Sequence, residues 1–171
     1  MGVKILVKDS KFMVIEGIDE VRTLNLGNYI KSLNTVVLDL SEAAYITYKG
    51  LGKVIFNDKE LTFGELFTKF SRSHNDWVKF VVLCDLRNRG RKAKAGFSDN
   101  SIVLEHSGNK YLIYVTEENA PITPNDLVNW VSSALSKGYE PVIAVVDAHG
   151  DVTYYKLLNV RANELKEAMI E

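Results

Sequence analysis

The sequence predicts a mixed α/β chain of the α+β class, a small N-terminal mixed unit followed by a mixed sheet with flanking helices. Three observations predict it. Short apolar runs bounded by Gly, Asn, Asp and Ser alternate with segments of helical periodicity. From residue 76 onward the order is helix, three strands, helix, two strands. Between these parts lies Ser71-Arg72-Ser73-His74-Asn75, which is polar and lacks apolar periodicity. The expected domains are therefore residues 1–73, a mixed α/β unit, and residues 74–171.

Residues 3–7 and 12–15 are apolar runs separated by Lys8-Asp9-Ser10, the pattern of a β-hairpin. Residues 19–24 and 28–33 are short helical candidates, with Gly27 between them as a helix stop. Residues 36–40 read as a buried strand. Ser41 is expected to cap a helix that buries Ala43, Ala44 and Ile46 and ends at Gly50. Residues 54–56 and the bend Asn57-Asp58-Lys59 give a further strand and turn. Thr62-Phe63-Gly64-Glu65 has capping-box spacing before a helix carrying Leu66, Phe67 and Phe70.

In the second part, Asp76 is expected to cap a longer helix with Trp77, Phe80, Val81, Leu83 and Cys84 facing inward and Gly90 as its stop. Strands are expected at residues 92–95, 101–105 and 110–115. Thr123-Pro124 opens a helix with proline in the first turn, burying Leu127, Trp130, Val131 and Ala134 before Gly138. Residues 142–146 are β-branched and apolar, the composition of a strand covered on both faces. Asp147-Ala148-His149-Gly150-Asp151 is a tight connection to the last strand, residues 152–157. Residues 161–170 read as a short terminal helix.

Composition excludes several classes. At 171 residues, 46% hydrophobic and 25% charged, the chain is of ordinary globular make-up. Its net charge of −1 means that any contact with nucleic acid must come from a local basic cluster or a basic partner. The single cysteine, Cys84, can form no internal disulfide, and it falls on an apolar helix face as a small hydrophobe. No apolar stretch approaches the length of a membrane span, and the N-terminal run is broken by Lys4 and Lys8, unlike a signal peptide. The expected location is the cytoplasm.

Few residues carry chemistry by pattern. His74, His106 and His149 stand alone, with no partner at metal-ligand spacing, so neither a metal nor a cofactor is expected. Arg87-Asn88-Arg89-Gly90-Arg91-Lys92-Ala93-Lys94 holds five basic residues in eight. It is either a solvated helix end complementing the helix dipole or an RNA-contacting patch built on Arg87, Arg89, Arg91 and Lys92.

Asp85-Leu86-Arg87-Asn88-Arg89-Gly90 followed by Gly96-Phe97, then Lys110-Tyr111-Leu112-Ile113, Asp126-Leu127-Val128, and the pair Val142-Ile143-Ala144-Val145-Val146-Asp147 and Gly150-Asp151-Val152-Thr153-Tyr154-Tyr155 come in a fixed order. Together they resemble the archaeal tRNA-intron (tRNA-splicing) endonuclease family, strongly from about residue 76. Upstream, Leu40-Ser41-Glu42-Ala43 with Tyr45, and Leu61-Thr62-Phe63 with Leu66, are similar to that family's N-terminal domain. The resemblance implies a restriction-nuclease-like C-terminal domain. It also implies metal-independent cleavage of precursor tRNA at a bulge–helix–bulge, leaving a 2′,3′-cyclic phosphate and a 5′-hydroxyl. In the family a tyrosine acts as general base, a histidine as general acid, and a lysine stabilises the charged transition state.

Those three groups are missing where the resemblance expects them. Leu104 stands for the tyrosine, Gly108 for the histidine, and Gly138-Tyr139-Glu140-Pro141, with Tyr139 nearest, for the lysine. Ser132 falls near the family's base-sandwiching arginine. The resemblance thus implies a structural, non-catalytic subunit that joins a separate catalytic subunit in a two-plus-two heterotetramer acting on precursor tRNA. The acidic loop from Asp147 through Gly150 to Asp151 would then dock in a basic pocket of that partner, against the plainer alternative of a hairpin whose aspartates favour the turn. Two other readings stand beside this one. The first is a site rebuilt around His106 with Tyr111 or Tyr139 and with Lys110 or Lys137. The second is a free-standing RNA-binding module using the basic run.

Overall fold

Two turn residues with left-handed backbone, Asp9 and Ser10, close the first hairpin, β1 (Val3–Lys8) with β2 (Lys11–Glu16). The two mirror-image turn conformations match the natural twist of paired strands. The computed structural model describes residues 2–158, so the terminal helix expected at residues 161–170 lies outside the described residues.

After β2 come α1 (Ile18–Thr23), β3 (Asn28–Ile30), β4 (Thr35–Leu38), α2 (Leu40–Tyr48), β5 (Gly52–Phe56), β6 (Lys59–Leu61) and α3 (Phe63–Phe70). Their six strands form one mixed sheet in the order β3-β4-β2-β1-β5-β6. The second part holds α4 (Asn75–Asn88), β7 (Lys94–Ala95), β8 (Ser101–His106), β9 (Asn109–Glu117), α5 (Pro124–Ser136), β10 (Glu140–Val146) and β11 (Val152–Lys156). Its five strands run β11-β10-β9-β8-β7, with β9 and β10 parallel across the α5 crossover and the other neighbours antiparallel. The mixed α/β class expected from the sequence is the one observed, as two mixed sheets with five helices among the described residues.

Several local expectations need correction. Residues 28–33 are not a helix. Gly27, at positive φ, brings the chain against Val36, Val37 and Leu38 so closely that a Cβ would clash, and β3 then pairs with β4 before a 3₁₀ turn at Lys31–Leu33. The cap of α2 is Asp39 rather than Ser41: its carboxylate accepts from the Ser41 N–H at 2.9 Å, and Glu42 returns the bond to the Asp39 N–H at 2.9 Å. Helix α4 begins at Asn75 with His74 in the capping position, ahead of Asp76, whose buried carboxylate instead accepts from the Arg72 N–H at 2.8 Å. Thr62 caps α3, and Thr123 caps α5 with Pro124 behind it, both as expected.

The inner faces also shift. Trp77 is 42% exposed and packs edge-on against Phe63 and Phe67 and at a tilt against Phe80. Val131 and Ala134 are buried on α5, whereas Leu127 and Trp130 are half-buried. On β10, Ala144 and Val146 are buried, but Ile143 and Val145 on the opposite face stay half-exposed. The strand is therefore covered on one face only.

One continuous core runs through both sheets, and α4 supplies much of it through Val78, Phe80, Val82, Leu83, Cys84 and Leu86. Three charged residues cross the junction. Glu42, 1% exposed, accepts from the N–H groups of Gly27 and Ala95, each at 3.0 Å. Lys79, also 1% exposed, donates to Asp39 at 3.2 Å and to the Ser98 carbonyl at 3.3 Å. Arg87 donates to the carbonyls of Leu24 and Ala93 and lies over the Tyr45 ring. Buried charges of this kind persist only when every polar atom has a partner.

Candidate functional site

The end of β8, the start of β9 and the residues before β10 hold the three positions of catalytic interest. Leu104 is buried on β8 and faces Tyr111 across the ladder. Gly108 forms, with Ser107, a two-residue turn in which both φ angles are positive, joining His106 to Asn109. Tyr139 is half-buried, its ring 5.8 Å from that of Phe97 in an edge-to-face pair. Leu104 and Tyr139 line one cleft, which also holds Lys92, Lys94 and Phe97 and has a volume of about 250 Å³.

His106 is exposed at the end of β8. One Arg91 nitrogen lies 2.8 Å from its Nδ1 and 2.6 Å from its Nε2, and the Ser107 hydroxyl is 3.2 Å from Nε2. A guanidinium can only donate and a neutral imidazole accepts at one nitrogen, so at most one of the two Arg91 contacts is a hydrogen bond. His74 pairs with Glu117 at 2.6 Å beside the start of α4, and His149 is exposed at the tip of the β10–β11 loop. Among the described residues no group of three His, Cys, Asp or Glu side chains is arranged to hold a metal ion. Cys84 is buried, and burial pushes its thiol up to about 11, away from the thiolate.

The basic run divides by environment. Arg87 is held inward by two backbone carbonyls and the Tyr45 face. Arg89 pairs with Asp85 at 2.8 Å, and the same Asp85 oxygen accepts from the Tyr154 hydroxyl at 2.7 Å, so α4 is tied to β11. Burial first, and then Asp85, raises the Tyr154 hydroxyl far above the usual phenol range. Arg91 covers His106, and Lys92 is exposed at the cleft.

The loop after β10 is built on Asp147. Its Oδ1 accepts from the N–H groups of His149 at 2.8 Å and Asp151 at 2.9 Å, and Gly150 turns at a φ of 86°. The bond from Asp151 and then that from His149 lower the Asp147 carboxyl below its ordinary value. This is the Asx arrangement expected of a tight turn. Asp151 stands exposed beside it. The next strand, β11, is the edge of the second sheet, so one side of its backbone has no neighbouring strand among the described residues.

Asp39, Glu42 and Lys79 escaped sequence reasoning. The Asp39-x-x-Glu42 capping spacing was the available signal for the first two. Lys79 gave none, because a lysine inside an apolar helix pattern reads as solvated until the opposing carboxylate is located.

The architecture defines the class: a two-sheet α+β chain whose second sheet joins parallel β9 and β10 through the α5 crossover. Residues 77–154 match the family model described as tRNA intron endonuclease, catalytic C-terminal domain. The tRNA-splicing endonuclease of Pyrococcus abyssi is 37% identical over 131 residues, covering 72% of this chain and 76% of the relative. That of Pyrococcus horikoshii is 39% identical over 127 residues, covering 70% and 74%. That of Methanococcoides burtonii is 31% identical over 172 residues, which is 96% of this chain but 48% of the relative. The chain belongs to the tRNA-splicing endonuclease family.

Proposed function

We propose that this chain is the non-catalytic, structural subunit of a tRNA-splicing endonuclease, working in the cytoplasm with a separate catalytic chain to remove bulge–helix–bulge introns from precursor tRNA. The observation that carries this reading is the replacement of all three expected groups by Leu104, Gly108 and Tyr139. Metal-independent cleavage requires a base on the ribose 2′-OH, an acid on the leaving oxygen and a cation at the phosphate. A buried leucine and a turn glycine supply none of these, so the partner must provide the complete set.

On this reading residues 1–73 form an N-terminal domain and residues 74–171 an endonuclease-like domain without the catalytic residues. The edge strand β11 and the loop from Asp147 to Asp151 form the contact with the catalytic subunit in a two-plus-two assembly. Three features support that contact: the open backbone of β11, the half-exposed Ile143 and Val145, and the rigid acidic loop. The M. burtonii relative, in which this chain spans about half the length, agrees with such units working in pairs. Arg89, Arg91 and Lys92 extend the RNA track, while Arg87 holds the junction.

The alternative of a site rebuilt around His106 is disfavoured by Arg91. The Arg91 guanidinium lies against both ring nitrogens, where a leaving oxygen would have to approach to be protonated. The deciding experiment is cleavage of a bulge–helix–bulge RNA by this chain alone, by a catalytic subunit alone, and by the mixture. Activity only in the mixture is expected. Cleavage by this chain alone, abolished by His106→Ala, would establish the other reading.

A further inference from the structure

Away from the docking loop, exposed aromatic rings sit among bases along one line that crosses both sheets. On the second sheet, Phe97 is 65% exposed, and the Lys137 ammonium lies 5.4 Å from its ring centre. Lys92 and Lys94 line the same cleft. On the first sheet, Tyr29 is 41% exposed with the Arg22 guanidinium 4.5 Å from its ring centre. A second cleft of about 290 Å³ runs from Arg22 and Tyr29 to Lys94, and the two clefts share Asn25, Asn28 and Lys94.

The charge along this line is mainly positive. Of the residues lining the two clefts Glu105 is the one acid, and it lies 3.7 Å from Lys110. Asp19 lies 3.6 Å from Arg22 at one end, and Glu42 is buried beneath, bonded to the N–H groups of Gly27 and Ala95. Among the described residues, no ion pair involves Lys92, Lys94 or Lys137. Both clefts are open and polar-lined and fall below the roughly 300–1,000 Å³ of enclosed small-molecule sites. Exposed rings interleaved with lysines, with amide side chains between them, are what unpaired nucleotides require: π-faces for the bases, cations for the phosphates, and donors and acceptors for base edges.

We propose that this line, from Tyr29 through Lys94 to Phe97, is a binding track for unpaired RNA, with the N-terminal unit contributing half of it. It assigns the N-terminal unit a role in holding substrate, beyond the spacing and stability any domain provides. Phe97 and Tyr29 are the stacking platforms, and Lys92 and Lys94 hold the backbone between them. The track rests on the reading of the chain as part of an RNA-processing assembly, but its test is separate.

The probe is a fluorescein-labelled short oligouridylate, titrated into the full-length chain alongside a fully paired RNA duplex of equal length. The oligouridylate is expected to bind more tightly than the duplex and to lose affinity as salt rises. Phe97→Ala and Tyr29→Ala each weaken binding by about tenfold, the usual scale for one base stacked on one ring. Phe97→Leu, which keeps the apolar bulk, loses most of that affinity too. Lys92→Ala with Lys94→Ala lowers the slope of log affinity against log salt by ~0.7 for each lost phosphate contact. Val128→Ala, an exposed apolar residue elsewhere on α5, changes nothing. Equal affinity for duplex and single strand, binding indifferent to both ring truncations, or no binding of oligouridylate overturns the track. A chain that restores cleavage to its catalytic partner yet ignores oligouridylate overturns the track alone. A chain that binds oligouridylate but restores no cleavage overturns the subunit reading alone.

Discussion

The junction between the two sheets and the free end of the second sheet treat charge in opposite ways. At the junction, Glu42 and Lys79 are removed from water, Asp39 is half-buried, and each is bonded to a backbone group or an opposite charge. At the free end, Asp151, His149 and the rim of β11 remain in water, and Asp147 is bonded only within its own loop. Buried, satisfied charge fixes one arrangement, because any slip leaves an ion without a partner. Exposed charge on a short rigid loop costs the free chain little and is available to another molecule. The difference separates what holds this chain together from what it offers outward.

The largest effect is expected from breaking the junction. Asp39→Ala removes the cap of α2 and leaves Lys79 buried without its counter-ion, which costs on the order of 3–5 kcal/mol of unfolding free energy. Denaturant melting is the measurement, and a loss below about 1 kcal/mol would contradict the burial argument. The same pair gives a pH dependence. Burial by itself raises the Asp39 carboxyl, but Lys79 and the bonds from Ser41 outweigh it, so the folded value lies below the ordinary one. A depressed carboxylate contributes stability above its unfolded value of about 3.9 and loses it as pH falls through the folded value. Stability should therefore drop below about pH 4 in the native chain and drop less in the variant.

Glu42→Gln is the next step down. The amide keeps the shape but turns one acceptor into a donor facing backbone N–H groups, at a cost of about 1–3 kcal/mol. Burial holds the Glu42 carboxyl above its ordinary value even with three N–H groups directed at it. Its ionisation therefore opposes folding as pH rises above the unfolded value, and the glutamine variant should show less of that loss. A variant with unchanged melting at every pH would mean that the N–H groups of Gly27 and Ala95 are not tied to this side chain.

Much of this architecture was legible in the chain. The first hairpin, the capping box at Thr62, the Thr123-Pro124 start and the glycine stops at Gly50, Gly90 and Gly138 rest on local chemistry, and local chemistry is written in order. What failed was set by residues distant in sequence. Residues 28–33 pair as a strand because of β4, and Asp76 is drawn inward by the backbone of Arg72. The half-exposed face of β10 cannot be told from a buried one by composition, since β-branched residues suit a covered core and an unoccupied interface equally. The same limit applied to Arg87. Its place in a basic run suggested solvent or phosphate, while the carbonyls of Leu24 and Ala93 decide otherwise.

The smallest effect on the free chain sharpens the comparison most. Asp151 is exposed and takes no part in the core, so Asp151→Ala should leave the unfolding midpoint where it was. If the loop docks in a basic pocket, the same substitution should weaken assembly with the catalytic subunit by about tenfold or more, because the partner's charge is then left unmatched. Sedimentation of the mixture, together with melting of the variant alone, reads both quantities. Asp147→Ala serves as the contrast, since it removes the oxygen that receives the N–H groups of His149 and Asp151 and so loosens the loop as well as discharging it. If both variants assemble normally, the acidic loop is only a turn and the subunit contact must be carried by the edge of β11. If Asp147→Ala fails while Asp151→Ala assembles, the partner recognises the shape of the loop rather than its charge.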